Sequence, residues 1–165
     1  MKLHSKRLTF TRFTSAELPL YLQLVTNARV MEYISGRALT EEEGGIRFKK
    51  ALAFNTKDNE TGNFMAHARK EGQYIGLAKL TVTGDREAEI GYALLPEYWG
   101  RKYATEIVEY FVGYARQLKR FHRLFAIVAP GNPPSIRILE KFGFKAYKEE
   151  AIDGLPAVYY ELFLE

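Results

Sequence analysis

Two patterns of different period meet at Pro96. Ala88 to Leu94 reads as a strand, whereas Ala104, Ile107, Val108, Phe111, Val112, Ala115 and Leu118 recur at the three- and four-residue spacing of one helix face. Proline has no amide for a ladder and restricts the residue before it, so the strand must end at Leu95. The chain therefore passes from a sheet into an amphipathic helix that has to lay its apolar face on that sheet. Such a junction aims the first, unpartnered helix amides and the positive end of the helix dipole at the space beyond the strand. It is suited to an anion.

The remaining segments fit around this unit. Arg7 to Phe13 alternates as a strand, and Thr14 or Ser15 then caps a helix carrying Leu18, Tyr21, Leu22 and Val25 on one face. After a break at Val30 to Gly36, Thr40 and Glu43 form a capping box that opens a second helix, which Gly44 and Gly45 weaken. Asn63 to Arg69, Tyr74 to Val82 and Ala88 to Leu94, separated by Glu71-Gly72 and Gly84-Asp85, predict an antiparallel meander. Leu124 to Val128 is wholly apolar, as in a strand buried on both faces. Asn132-Pro133-Pro134 starts a helix that Gly143 stops, and Phe144 to Glu150 and Val158 to Leu164 close the chain as strands around Asp153-Gly154. This order predicts an α+β fold: a mixed, mostly antiparallel sheet of about six or seven strands flanked by about four helices. With 165 residues, it fits one domain spanning residues 1–165.

Composition narrows the function classes. There is no cysteine, which excludes disulfides, thiolate metal sites and a cysteine nucleophile and fits a reducing, cytoplasmic setting. His4, His67 and His122 have no ligand spacing, so no metal is expected. No apolar run is long enough for a membrane span or a signal peptide. The net charge of +4 favours a polyanionic small ligand, but its basic residues are interleaved with acidic ones, which argues against nucleic acid.

The loop between strand and helix, Glu97-Tyr98-Trp99-Gly100-Arg101-Lys102-Tyr103-Ala104-Thr105, suits a pyrophosphate. Gly100 lets backbone approach an anion, the amides from Arg101 through Lys102, Tyr103 and Ala104 to Thr105 can donate, and Arg101 and Lys102 add charge. A glycine turn before a helix also occurs without any ligand, so the loop by itself leaves a purely structural turn open.

Several blocks of the chain resemble the GCN5-related N-acetyltransferases (GNATs), close to the ribosomal-protein-alanine N-acetyltransferase-like (RimJ/RimL-type) branch. They are Arg7-Leu8 with Asn27 and Val30-Met31-Glu32-Tyr33-Ile34, then Glu89-Ile90-Gly91-Tyr92 with Leu95-Pro96-Glu97-Tyr98-Trp99-Gly100, then Tyr103-Ala104-Thr105-Glu106. A later block contributes Asn132, Ser135, Leu139-Glu140-Lys141 and Gly143-Phe144. One departure stands out: Lys102 occupies the position where the family's phosphate loop carries glycine. A side chain there costs about 1 kcal/mol if φ is positive, while its ammonium can add a phosphate contact.

The resemblance implies a GNAT fold and an N-acetyltransferase that uses acetyl-CoA as cosubstrate. The acetyl group would pass to a primary amine, on a protein N-terminus or a small molecule, by direct attack in a ternary complex. The amine must lose its proton, the oxyanion needs an amide donor and the departing thiolate needs a proton. By resemblance these tasks fall to Glu89 as base, the amides of Leu94 and Leu95 as donors to carbonyl and pantetheine, and Ser135 as acid, with Asn132 holding the cofactor arm. Glu87 shares Glu89's face and is an alternative base, Asn132 is equally suited to plain helix capping, and Ser135 to bonding its own first turn. The acceptor would be gripped by residues 30–39 and 153–157, where Glu32, Tyr33 and Asp153 stand. The last strand, if exposed, offers an edge for a homodimer. A non-catalytic acyl-CoA sensor with the same fold is the alternative.

Overall fold

The computed structural model describes residues 2–164. Its strands are β1 (Lys2–His4), β2 (Leu8–Arg12), β3 (Gly62–Ala68), β4 (Tyr74–Gly84), β5 (Glu87–Leu94), β6 (Arg123–Val128), β7 (Lys145–Glu149) and β8 (Val158–Phe163). The helices are α1 (Leu18–Val25), α2 (Ala28–Met31), α3 (Glu41–Lys57), α4 (Tyr103–Leu118) and α5 (Pro133–Lys141). Eight strands and five helices exceed the expected counts, because β1 adds a hairpin to β2 and Asn27 caps an extra turn, α2.

Helix starts follow the local chemistry. Thr40 Oγ1 accepts the Glu43 amide at 3.1 Å and the Glu43 carboxylate accepts the Thr40 amide at 2.9 Å, completing the capping box of α3. Gly44 weakens the helix but is required by packing: a Cβ there would lie 2.7 Å from Leu22 and 2.9 Å from Val25, so glycine lets α1 approach α3.

The strands pair in the order β1-β2-β3-β4-β5-β6-β8-β7, antiparallel except for β5 with β6. One face carries α4 and α5 over a core that includes Phe10, Phe64, Ile90, Phe111 and Leu124. The opposite face carries α1 and α3 over Phe13, Tyr21, Phe48 and Met65. Two expectations fail. The last strand, β8, lies between β6 and β7 and is not an edge, since its pairing with β6 extends the sheet inward. Nor is β6 buried on both faces: Leu124, Ala126 and Val128 are buried beneath the helices, but Phe125 and Ile127 stay half-exposed where α1 and α3 do not reach.

The parallel pairing of β5 with β6 covers only Glu87↔Arg123, Ala88↔Leu124 and Glu89↔Phe125. Both strands continue, to Leu94 and Val128, without further pairing to each other. They splay apart beyond Glu89, and α4 begins at the end of the opening.

Candidate active site

At the far end of the splay the backbone forms an anion cradle. Gly100 and Lys102 both adopt left-handed conformations, with φ of +77° and +64°, and this alternation turns successive amides toward one side. Lys102 is the N-cap of α4, yet no side chain caps the helix, and the first amide bonded within it is that of Glu106, on the Lys102 carbonyl at 3.1 Å. The amides of Tyr103, Ala104 and Thr105 therefore lack intrahelical partners, and Arg101 and Lys102 stand exposed beside them. The cradle is braced from behind: the part-buried Glu106 carboxylate accepts the Arg7 amide and Nε, each at 2.7 Å, and the Ser5 hydroxyl. Burial works against its ionised form, but the bonds from Ser5 and Arg7 prevail and its pKa is lowered.

Within the splay, the two predicted amides differ. Leu95 donates to the Ile75 carbonyl at 3.0 Å, so its amide belongs to the pairing with β4. Alternation along an antiparallel ladder then turns both polar groups of Leu94 away from β4, toward the opening. The Leu94 carbonyl accepts the Trp99 indole N–H at 2.9 Å, which leaves the Leu94 amide as the group facing the gap. Gly76 permits this arrangement, because a Cβ on it would stand 2.2 Å from the Ala93 oxygen.

Glu89 sits where β5 and β6 part, its carboxylate 2.9 Å from Lys79 Nζ. Glu87 is bound instead to Arg123 at 2.5 Å, and Arg123 also reaches Glu161 at 3.0 Å. The Arg123 hydrogen bond lowers the pKa of Glu87 and makes it the poorer base.

From the other wall, Ser135 on the first turn of α5 meets Tyr92 of β5, with Oγ and Oη 2.6 Å apart. Burial raises the Tyr92 pKa, against the opposing effect of Ser135, so the phenol stays protonated at neutral pH and can donate. Asn132 is the N-cap of α5 but its side chain makes no capping bond, so capping does not account for the residue. The two loops expected to grip the acceptor approach each other: a Cβ on Gly36 would lie 3.4 Å from the Leu155 methyls.

A family model described as an acetyltransferase (GNAT) domain matches residues 7–145, most of the chain. The chain belongs to the GNAT acetyltransferases. As such it is an acetyl-CoA-dependent N-acetyltransferase, and the similarity extends across whole molecules. The uncharacterized N-acetyltransferase YnaD of Bacillus subtilis (strain 168) is 27% identical over 146 residues, covering 88% of this chain and 83% of YnaD. The ribosomal-protein-S5-alanine acetyltransferase of Vibrio fischeri superposes with a TM-score of 0.77 at 19% identity, over 99% of this chain and 96% of that one. The spermidine N-acetyltransferase of Vibrio cholerae, solved with CoA and spermine, gives the same TM-score at 20% identity, over 95% of each chain. These two structures share the fold and differ in acceptor, so the ribosomal-protein branch is one of several that this acetyltransferase resembles.

Three contacts around the strand opening have no local sequence signal: Tyr92 with Ser135, Lys79 with Glu89 and Arg123 with Glu87 are brought together by strand register and by the packing of α5.

Proposed function

We propose that this GNAT enzyme transfers the acetyl group of acetyl-CoA to a primary amine by direct attack in a ternary complex. The observation that carries this reading is convergence. The Glu89 carboxylate, the outward Leu94 amide and the Tyr92–Ser135 pair all border one strand opening, and that opening leads to the uncapped start of α4.

The pyrophosphate is held by the amides of residues 101–105, with Arg101 and Lys102 supplying charge, and Asn132 steadies the pantetheine arm. Acetyl-CoA supplies the activated acyl group. The chain's own residues do the rest. Glu89, directly or through a water, takes the proton of the incoming ammonium, with Lys79 Nζ, 2.9 Å away, holding the carboxylate in place. The Leu94 amide donates to the carbonyl oxygen where negative charge develops. Ser135 gives its proton to the leaving sulfur while Tyr92 donates to the Ser135 oxygen and fixes its rotamer. The cysteine-free sequence fits a cytoplasmic enzyme.

The test is release of free thiol from acetyl-CoA against a panel of amines, with thermal shift by coenzyme A in parallel. Amine-dependent release supports transfer. Stabilisation by coenzyme A with no release for any amine would make the protein a binding module instead.

A further inference from the structure

The sheet face opposite α4 carries an aromatic shelf that begins at the strand parting. Phe125 is the register partner of Glu89, so the two side chains stand on one face about 4.8 Å apart along the sheet. Phe125 stacks on Tyr159 with ring centroids 6.4 Å apart and planes 20° apart, and Tyr159 meets Tyr147 edge-on at 6.0 Å. Phe125 and Tyr159 are half-exposed and Tyr147 is 38% exposed, because α1 and α3 pack over β3 and β4 and leave this end of the face open.

The charges on this face balance. Glu87 and Glu161 bind Arg123, Glu89 binds Lys79, and Lys145 stands opposite Glu161 in the register. With Lys148, which lies 4.3 Å from the Tyr159 ring centroid and binds Glu150 at 3.0 Å, four carboxylates thus meet four cations. A polycation would find no surplus negative charge here and would be repelled by Lys79 and Arg123. An ammonium on a flat apolar body needs only one carboxylate, and its ring can extend the stack at ordinary aromatic spacing.

We infer that the acceptor is a monoamine carried on a flat apolar body, of the aralkylamine type, and not a polyamine. The inference rests on the transfer reading above, with Phe125 and Tyr159 as the residues that select the amine. It predicts that 2-phenylethylamine binds the protein saturated with coenzyme A at least about tenfold more tightly than spermidine does, as read by calorimetric titration. Phe125→Leu and Tyr159→Leu, which keep apolar volume, should each weaken that binding about three- to tenfold and leave coenzyme A affinity and thermal stability near wild type. Spermidine binding as tightly, both variants binding the ring amine like wild type, or neither amine binding at all would overturn the inference. Thiol release in the same samples separates the two claims: a bound ring amine without release removes transfer and leaves the shelf as a ring-amine binding site only, whereas faster release with spermidine removes this inference and retains transfer.

Discussion

The Tyr92 hydroxyl lies 2.6 Å from Ser135 Oγ and joins β5 to the first turn of α5 across the opening between β5 and β6. The bond joins residues 43 positions apart, beyond the point where the ladder between β5 and β6 ends. A hydroxyl anchored in this way is available to a leaving group without a search through rotamers.

Ser135→Ala should therefore lower turnover by about a hundredfold, the scale of a positioned proton donor, and leave coenzyme A binding within about twofold. Tyr92→Phe keeps the serine and removes its anchor, so a smaller loss, about three- to tenfold, is expected in kcat with KM little changed. In the double variant the two losses should not add, since Tyr92 acts through Ser135. Steady-state thiol release and coenzyme A thermal shift measure both quantities. Full additivity would show that Tyr92 works independently of the serine.

For the base, Glu89→Gln should reduce the rate at neutral pH and recover toward about pH 10, where an alkylamine loses its proton unaided. Glu87→Gln should keep the wild-type profile shape, because Glu87 lies inside the paired stretch of β5 and β6, before the strands part, and is bound to Arg123 there. Matching pH–rate profiles for Glu89→Gln and wild type would remove Glu89 from proton transfer.

At Lys102 two effects oppose each other. The residue sits at φ of +64°, so Lys102→Gly should stabilise the free protein by about 1 kcal/mol, raising Tm by about 2–4 °C. The same change removes an ammonium beside the anion cradle, so coenzyme A should bind more weakly, and the deficit should shrink as salt rises. A variant that is more stable and binds coenzyme A equally well at low salt would show that the lysine makes no phosphate contact.

How much of this was legible in the sequence depended on whether the signal was local. Capping at Thr40, the stop at Gly143 and the strand-to-helix switch at Pro96 are chemistry between neighbours, and the helices and meander followed from them. The insertion of β8 between β6 and β7 is a pairing choice between distant segments, which no local pattern encodes. The apolar run Leu124 to Val128 misled for an instructive reason: Phe125 and Ile127 are apolar without being covered, and this open side is where the aromatic shelf lies. The cradle loop was readable because its residues are contiguous, whereas Lys79 beside Glu89 and Tyr92 beside Ser135 needed the register.

Away from the site, acid stability should depend on Asp58. Burial raises its pKa, but hydrogen bonds from Arg120 and from the Glu60 amide outweigh this and lower it from 3.8 to about 2. Asp58 joins the end of α3 to Arg120 after α4, and its Oδ1 also accepts the Glu60 and Thr61 amides at 2.8 and 3.3 Å. A carboxylate with a depressed folded pKa contributes stability that is complete above its unfolded value and is lost as the pH falls through the folded one. Its share should thus be present at pH 5, decline from about pH 4, be mostly gone by about pH 2 and vanish below it. Asp58→Asn keeps an oxygen for the Glu60 amide and loses the charge, so its Tm should lie a few degrees below wild type at pH 6, with the gap closing by about pH 2. Thermal unfolding of both proteins from pH 6 to 2 measures this, and a gap that stayed constant across the range would assign the loss to packing and not to the carboxylate's charge.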